Sequence, residues 1–131
     1  MRPLSIAAGL VLIAMAPAVQ ARQEASPERM LAGRVAGKPI SCIPQRQIDS
    51  SQNFDSGDIL YRMKSGPDYL NSPRPKCAGL RGSAGMVTRT PSTDLCRGDI
   101  ADIVDFTSGI QHGSCALGDF VPYPRVRKPR Q

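Results

Sequence analysis

The chain has 131 residues and a formal net charge of +6, with 12 Gly, 12 Pro, four Cys, three Tyr, three Phe and no Trp. That length suffices for one domain and excludes two, and the abundance of Gly and Pro makes much of it turn and connection around a modest core. The charge sits at the ends: residues 22–39 carry +2, residues 40–124 carry −1 and residues 125–131 carry +4, so the body lacks the positive field that nucleic-acid binding requires.

Met1-Arg2-Pro3 gives a short positive start, and Leu4 to Met15 is an uncharged run rich in Leu, Ile, Ala and Val. This is the pattern of a secretory signal peptide over residues 1–21, with Pro17 breaking its helix. Val19 and Ala21 supply the small residues at −3 and −1, so cleavage is expected after Ala21. The apolar run reaches about 18 Å, short of a hydrocarbon core of about 30 Å, which argues against a retained membrane anchor. A lipid anchor would need a cysteine directly after the cleavage point, whereas the first cysteine is Cys42. The expected setting is periplasmic or secreted.

Residues 22–39 read as a flexible lead-in in which Ser26 caps a short helix, Pro27 opens it and Gly33 stops it. Residues 40–124 read as an all-β, disulfide-linked domain: five to seven short antiparallel strands curled into a small sheet or barrel. Pro44 can begin a single helical turn before an extended stretch from Ser50 to Phe54. Asp55-Ser56-Gly57-Asp58 turns into a strand from Ile59 to Lys64, and Ser65-Gly66-Pro67 turns again into Asp68 to Asn71. Residues 72–85, with two Pro and three Gly, form the longest loop. Met86 to Arg89 resumes as a strand. Asp99 to Phe106 is the clearest strand, apolar on both faces and therefore largely covered, with its aspartates at solvated rims. Gly109 to Gly118 reads as a loop and Phe120 to Tyr123 as a terminal edge strand, where Pro122 is tolerated. Residues 125–131 read as a basic disordered tail.

An even number of cysteines in a small exported chain implies two disulfides. The steps from Cys42 to Cys77, Cys96 and Cys115 contain no C-x-x-C, the pattern that zinc sites and thioredoxin-like redox motifs use, so neither a metal nor a cofactor is expected. Three pairings are open. Context favours Cys42 with Cys96, each just before an apolar β-type run, and Cys77 with Cys115, both in loop-like Cys-Ala stretches.

The run Ala36 to Ile43, the hairpins ending at Tyr69-Leu70-Asn71, the segment Leu95 to Ile100 and the closing Cys115 to Pro122 together resemble an uncharacterised family of small exported proteins from Gram-negative bacteria, a domain of unknown function. The resemblance covers about residues 36–124. It implies a periplasmic setting and supplies no activity.

Several residues are candidates for a functional site. His112 is the only histidine, and in Gln111-His112-Gly113-Ser114-Cys115 it stands near a hydroxyl and a thiol that an imidazole could activate. Adjacent residues in a loop rarely have that geometry, and Cys115 is expected to be oxidised. Asp99, Asp102 and Asp105 are the nearest set of carboxylates, but in a strand Asp102 points opposite to the other two, which separates a would-be acid and base. Ser65-Gly66-Pro67-Asp68-Tyr69 matches the S-G-x-x-Y pattern of periplasmic inhibitors of C-type lysozyme, small disulfide-containing β-barrels. That resemblance would give Ser65 and Tyr69 places in an inhibitory loop, although the family's second motif has no counterpart here. Arg125, Arg127, Lys128 and Arg130 could attract anionic envelope components. The expected role is non-enzymatic: binding or structural, with an unknown protein or an anionic envelope component as partner. The alternatives are inhibition of a lysozyme-like enzyme through the Ser65–Tyr69 hairpin and weak hydrolysis using His112.

Overall fold

A computed structural model describes residues 25–81 and 84–127. The expected signal segment, and with it the cleavage point, lies outside the described residues, as do Lys128 and Arg130. No helix among the described residues is long and apolar enough to cross a membrane.

Among the described residues one helical turn, α1 (Pro27–Met30), precedes nine strands: β1 (Cys42–Pro44), β2 (Ile48–Asn53), β3 (Ile59–Met63), β4 (Asp68–Asn71), β5 (Gly85–Arg89), β6 (Asp94–Cys96), β7 (Ile100–Asp105), β8 (Ile110–Ala116) and β9 (Phe120–Tyr123). Every pairing is antiparallel, and the strands divide among three sheets, ordered β1-β6, β2-β3-β4-β9 and β5-β7-β8. The chain is mostly β in small antiparallel sheets, as expected, but the strands fall into three sheets rather than one, and among the described residues they number nine rather than five to seven. The expected turn after Pro44 is a 3-10 turn over Gln45–Gln47.

The pattern of β3 shows how the sheets find one another. Ile59, Tyr61 and Met63 alternate onto one face and join the main core, which draws Ile43 from β1, Leu95 from β6, Ala101 and Ile103 from β7 and Phe120 from β9. Three small sheets thus bury their inner faces against one another. The opposite face of β3, Leu60 and Arg62, is treated differently. Leu60 lies in a second cluster with Leu31 and Phe54, flanked by Met30, Leu70 and Tyr123. Part of the lead-in supplies that cover: Ser26 caps α1 by accepting the Arg29 N–H, and Leu31 is buried. Farther on, Gly37 donates to the Pro122 carbonyl, and Ile40 and Phe120 exchange both backbone hydrogen bonds. A Cβ on Gly37 would come within 2.9 Å of the Pro122 ring, so the absence of a side chain permits this close approach.

The disulfides join Cys42 to Cys96 and Cys77 to Cys115. The first links partners directly opposite across β1 and β6. The second fastens the long loop after β4 to β8. Cys115 therefore sits in a strand, not a loop, and the whole stretch Ile110–Ala116 pairs with β7. Its ladder is irregular: Ile103 faces Gly113 and Val104 faces Gln111, leaving His112 as the extra residue of a bulge. At the far end, the buried Asn71 donates from Nδ2 to the Gly118 carbonyl at 2.8 Å and accepts the Gly118 N–H at 2.9 Å. This side chain fixes the turn from β8 into β9 as a strand partner would.

Candidate functional site: a cationic cleft

The outer face of the four-stranded sheet is only half covered. α1 and the residues after it lie over Leu60 and Leu70, and beyond them the same face continues with polar side chains. A cleft of about 620 Å³ opens there. Arg34, Arg62, Lys64 and Arg125 line it, against the carboxylates Asp49 and Asp68. Of its apolar lining residues Met30 is half-buried, whereas Leu60 and Met63 are buried.

Asp68 organises this region. It is 4% exposed, at the start of β4 and opposite Tyr123. Arg34 donates from Nη1 to Oδ2 at 2.8 Å. Arg125 donates to Oδ1 from Nη2 at 2.8 Å and from Nε at 3.2 Å, and its Nη2 also donates to the Met63 carbonyl. The Met63 N–H reaches Oδ1 as well, at 3.3 Å. Burial pushes the Asp68 carboxyl up, but the hydrogen bonds from Arg125, Arg34 and Met63 and the Arg125 charge outweigh it, and the group is held below the usual carboxylate range. In return, the Asp68 hydrogen bond and charge raise the Arg125 guanidinium above its ordinary value. Arg125 is thus anchored, and the basic tail does not begin as a disordered segment at that residue. Arg127 is exposed.

Two cations of the cleft are less committed. Lys64 donates from Nζ to the Arg46 carbonyl at 2.8 Å. The Arg62 guanidinium has no hydrogen-bond or ion-pair partner among the described residues. Arg34, Arg62, Lys64 and Asp68 did not stand out in the sequence. A signal was present all the same, because alternation from Ile59 onward puts Leu60, Arg62 and Lys64 on one side of the strand.

The other candidates are placed elsewhere. Ser65 is exposed in the β3–β4 turn, where Gly66 adopts φ +82°. Tyr69 is half-buried and packs against the main core. The S-G-x-x-Y letters therefore divide between a turn and a core-facing strand position.

His112, exposed on the β8 bulge, lines a second cleft of about 490 Å³ with Arg81, Asp105 and Thr107. The hydroxyl of Ser114 is committed to Asp102, donating to Oδ1 at 2.7 Å, and Gln111 Nε2 donates to both at 3.1 Å. Cys115 is held in its disulfide.

Asp102 corrects the expectation of solvated rims: it is buried in the middle of β7 and paired with Arg89 Nε at 2.7 Å. The Ser114 hydrogen bond, joined by the charge and hydrogen bond of Arg89, holds its carboxyl below the usual range against the effect of burial. Asp99 accepts the Cys96 N–H, and Asp105 accepts those of Thr107 and Ser108. Each of the three carboxylates thus has its own local partner. Among the described residues no group of three or more His, Cys, Asp or Glu is placed to hold a metal ion.

Comparison with protein-family models, with curated proteins and with solved structures finds no match for the chain.

Proposed function

We propose that the mature chain is an exported, periplasmic, non-enzymatic binding protein that takes an anionic envelope component in the cleft beside α1. The observation that carries this reading is the Arg62 guanidinium, unpartnered among the described residues, at the wall of a cleft lined by four cations and two carboxylates. Arg34 and Arg125 are both engaged with Asp68, whereas Arg62 has no partner among the described residues and Lys64 donates only to a backbone carbonyl. A guanidinium presents a planar fork to carboxylate or phosphate oxygens, and an adjacent ammonium adds a point charge. The two disulfides suit an oxidising compartment, and the signal pattern of residues 1–21 supports export.

The test is cosedimentation of the purified, oxidised protein with vesicles of anionic phospholipid or lipopolysaccharide and, separately, of neutral phosphatidylcholine. Binding to the anionic vesicles that weakens with salt and is lost in Arg62→Glu is the expected result. Equal binding to neutral vesicles, or full binding by Arg62→Glu, would count against the reading, as would selective capture of a periplasmic protein at another face.

A further inference from the structure

The charge and shape of the cleft narrow the ligand class, an inference that rests on the reading just given. Four cationic side chains against two carboxylates leave a local charge of +2. A phosphate monoester carries about −1.5 to −2 near neutral pH, whereas a sulfate monoester or a phosphodiester carries a single charge. A monoester therefore neutralises the cleft where a monoanion leaves half of its charge uncompensated.

The free donors match the same group. Among the described residues Arg62 has no partner, so its fork can meet two phosphate oxygens, and Lys64 spends one of its three ammonium N–H donors on the Arg46 carbonyl. The apolar part gives the second half of the ligand. Met30, half-buried on α1, borders the same cleft as the cations, and a volume of about 620 Å³ exceeds what a bare phosphate fills and suits a small organic ligand. We propose that this cleft binds a terminal phosphate monoester carried on an amphiphile, with the phosphate at Arg62 and Lys64 and the adjoining apolar segment along Met30.

The test is calorimetric titration of the oxidised protein with octyl phosphate, octyl sulfate, inorganic phosphate and octyl glucoside, each below its micellar concentration. Octyl phosphate should bind at least about tenfold more tightly than octyl sulfate, through the stronger pairing of its doubly charged oxygens, and than inorganic phosphate, which lacks the apolar chain. Its affinity should fall between pH 7 and pH 5, as the monoester dianion takes up a proton near pH 6 and becomes a monoanion, while that of octyl sulfate stays level. Arg62→Ala should lose that preference, and Arg97→Ala, an exposed variant of the β6–β7 turn, should keep it. Equal affinity for octyl phosphate and octyl sulfate would overturn the monoester assignment and leave the anion-binding reading standing. Equal affinity for inorganic phosphate would overturn the amphiphile half. No binding of any anionic probe beyond that of octyl glucoside would overturn both.

Discussion

Arg125, two residues past the end of β9, holds Asp68, the first residue of β4, through two nitrogens on a single carboxylate oxygen. The other oxygen is taken by Arg34 from the lead-in. One buried carboxylate therefore fastens two segments that the sequence, read linearly, assigns to loose ends. Both segments are walls of the cleft, so the fastening that orders the ends also shapes the proposed site.

Replacing that carboxylate tests the fastening. Asp68→Asn keeps the size of the side chain but leaves two guanidinium groups without their ion pair, and the cost is expected to be about 2 kcal/mol, because the carboxylate is buried while both arginines retain some access to water. Urea denaturation measures the loss, and trypsin should cleave faster at Arg29 and Arg34 in the variant. An unchanged midpoint and an unchanged cleavage rate would contradict the role given to Asp68.

Acid should weaken the fold with a definite sign. Burial pushes the Asp58 carboxyl up, but Lys76, Ser72 and Ser56 hold it below the usual range; Asp68 is held low in the same way by Arg125, Arg34 and Met63. A carboxylate with a depressed folded-state pKa contributes stability above its unfolded value, near 3.8, and that stability is lost as pH falls through the folded value. The urea midpoint should be level through neutral pH and fall below about pH 4. In Asp68→Asn the acid-side decline should be smaller, and a decline of the same size would contradict it.

Tyr61 offers a prediction of opposite sign. Its ring packs tilted against Phe120 with centroids 5.7 Å apart, its hydroxyl is buried with no hydrogen-bond partner among the described residues, and burial pushes its phenol pKa up. Tyr61→Phe keeps the packing and removes a desolvated hydroxyl, so it should stabilise the fold by about 1 kcal/mol. A measured destabilisation would mean that the hydroxyl has a partner.

The disulfides close chain separations of 54 and 38 residues. Constraint of the unfolded chain gives about 4 kcal/mol for each. Paired Ser substitutions at Cys42 and Cys96, or at Cys77 and Cys115, should each lower stability by that order, and the domain with both bridges reduced should be largely unfolded at 37 °C. Retention of the oxidised midpoint after full reduction would contradict this dependence on the bridges.

Much of the strand pattern was legible because it rests on local alternation: Ile59 to Met63, Met86 to Arg89 and the apolar run of β7 are strands on any reading of their periodicity. β8 was not, since Gly109, Gly113 and Gly118 with Ser and His look like a loop, and only pairing with the strongly apolar β7 and the bulge at His112 makes that segment a strand. β6 is three residues long and carries no periodicity; it is held by Leu95 in the core and Cys96 in its disulfide. Asp102 was placed at a rim because a carboxylate in a strand usually seeks water, and what buries it is a set of partners, Arg89, Gln111 and Ser114, from both neighbouring strands. The cleft was hidden for a related reason. Its basic residues come from the lead-in, β3, the turn after it and the tail, and only the fold brings Arg34, Arg62, Lys64 and Arg125 around Asp68.

The most direct measurement is a heteronuclear NMR titration of the oxidised, isotopically labelled protein with octyl phosphate. The predicted result is saturable shifts of the amides around Met30, Arg62, Lys64 and Arg125, and their loss in Arg62→Ala. Shifts confined to the outer face of β5, β7 and β8, where Val87, Ile100 and Phe106 are exposed, or no saturable shifts at all, would contradict the cleft as the binding site.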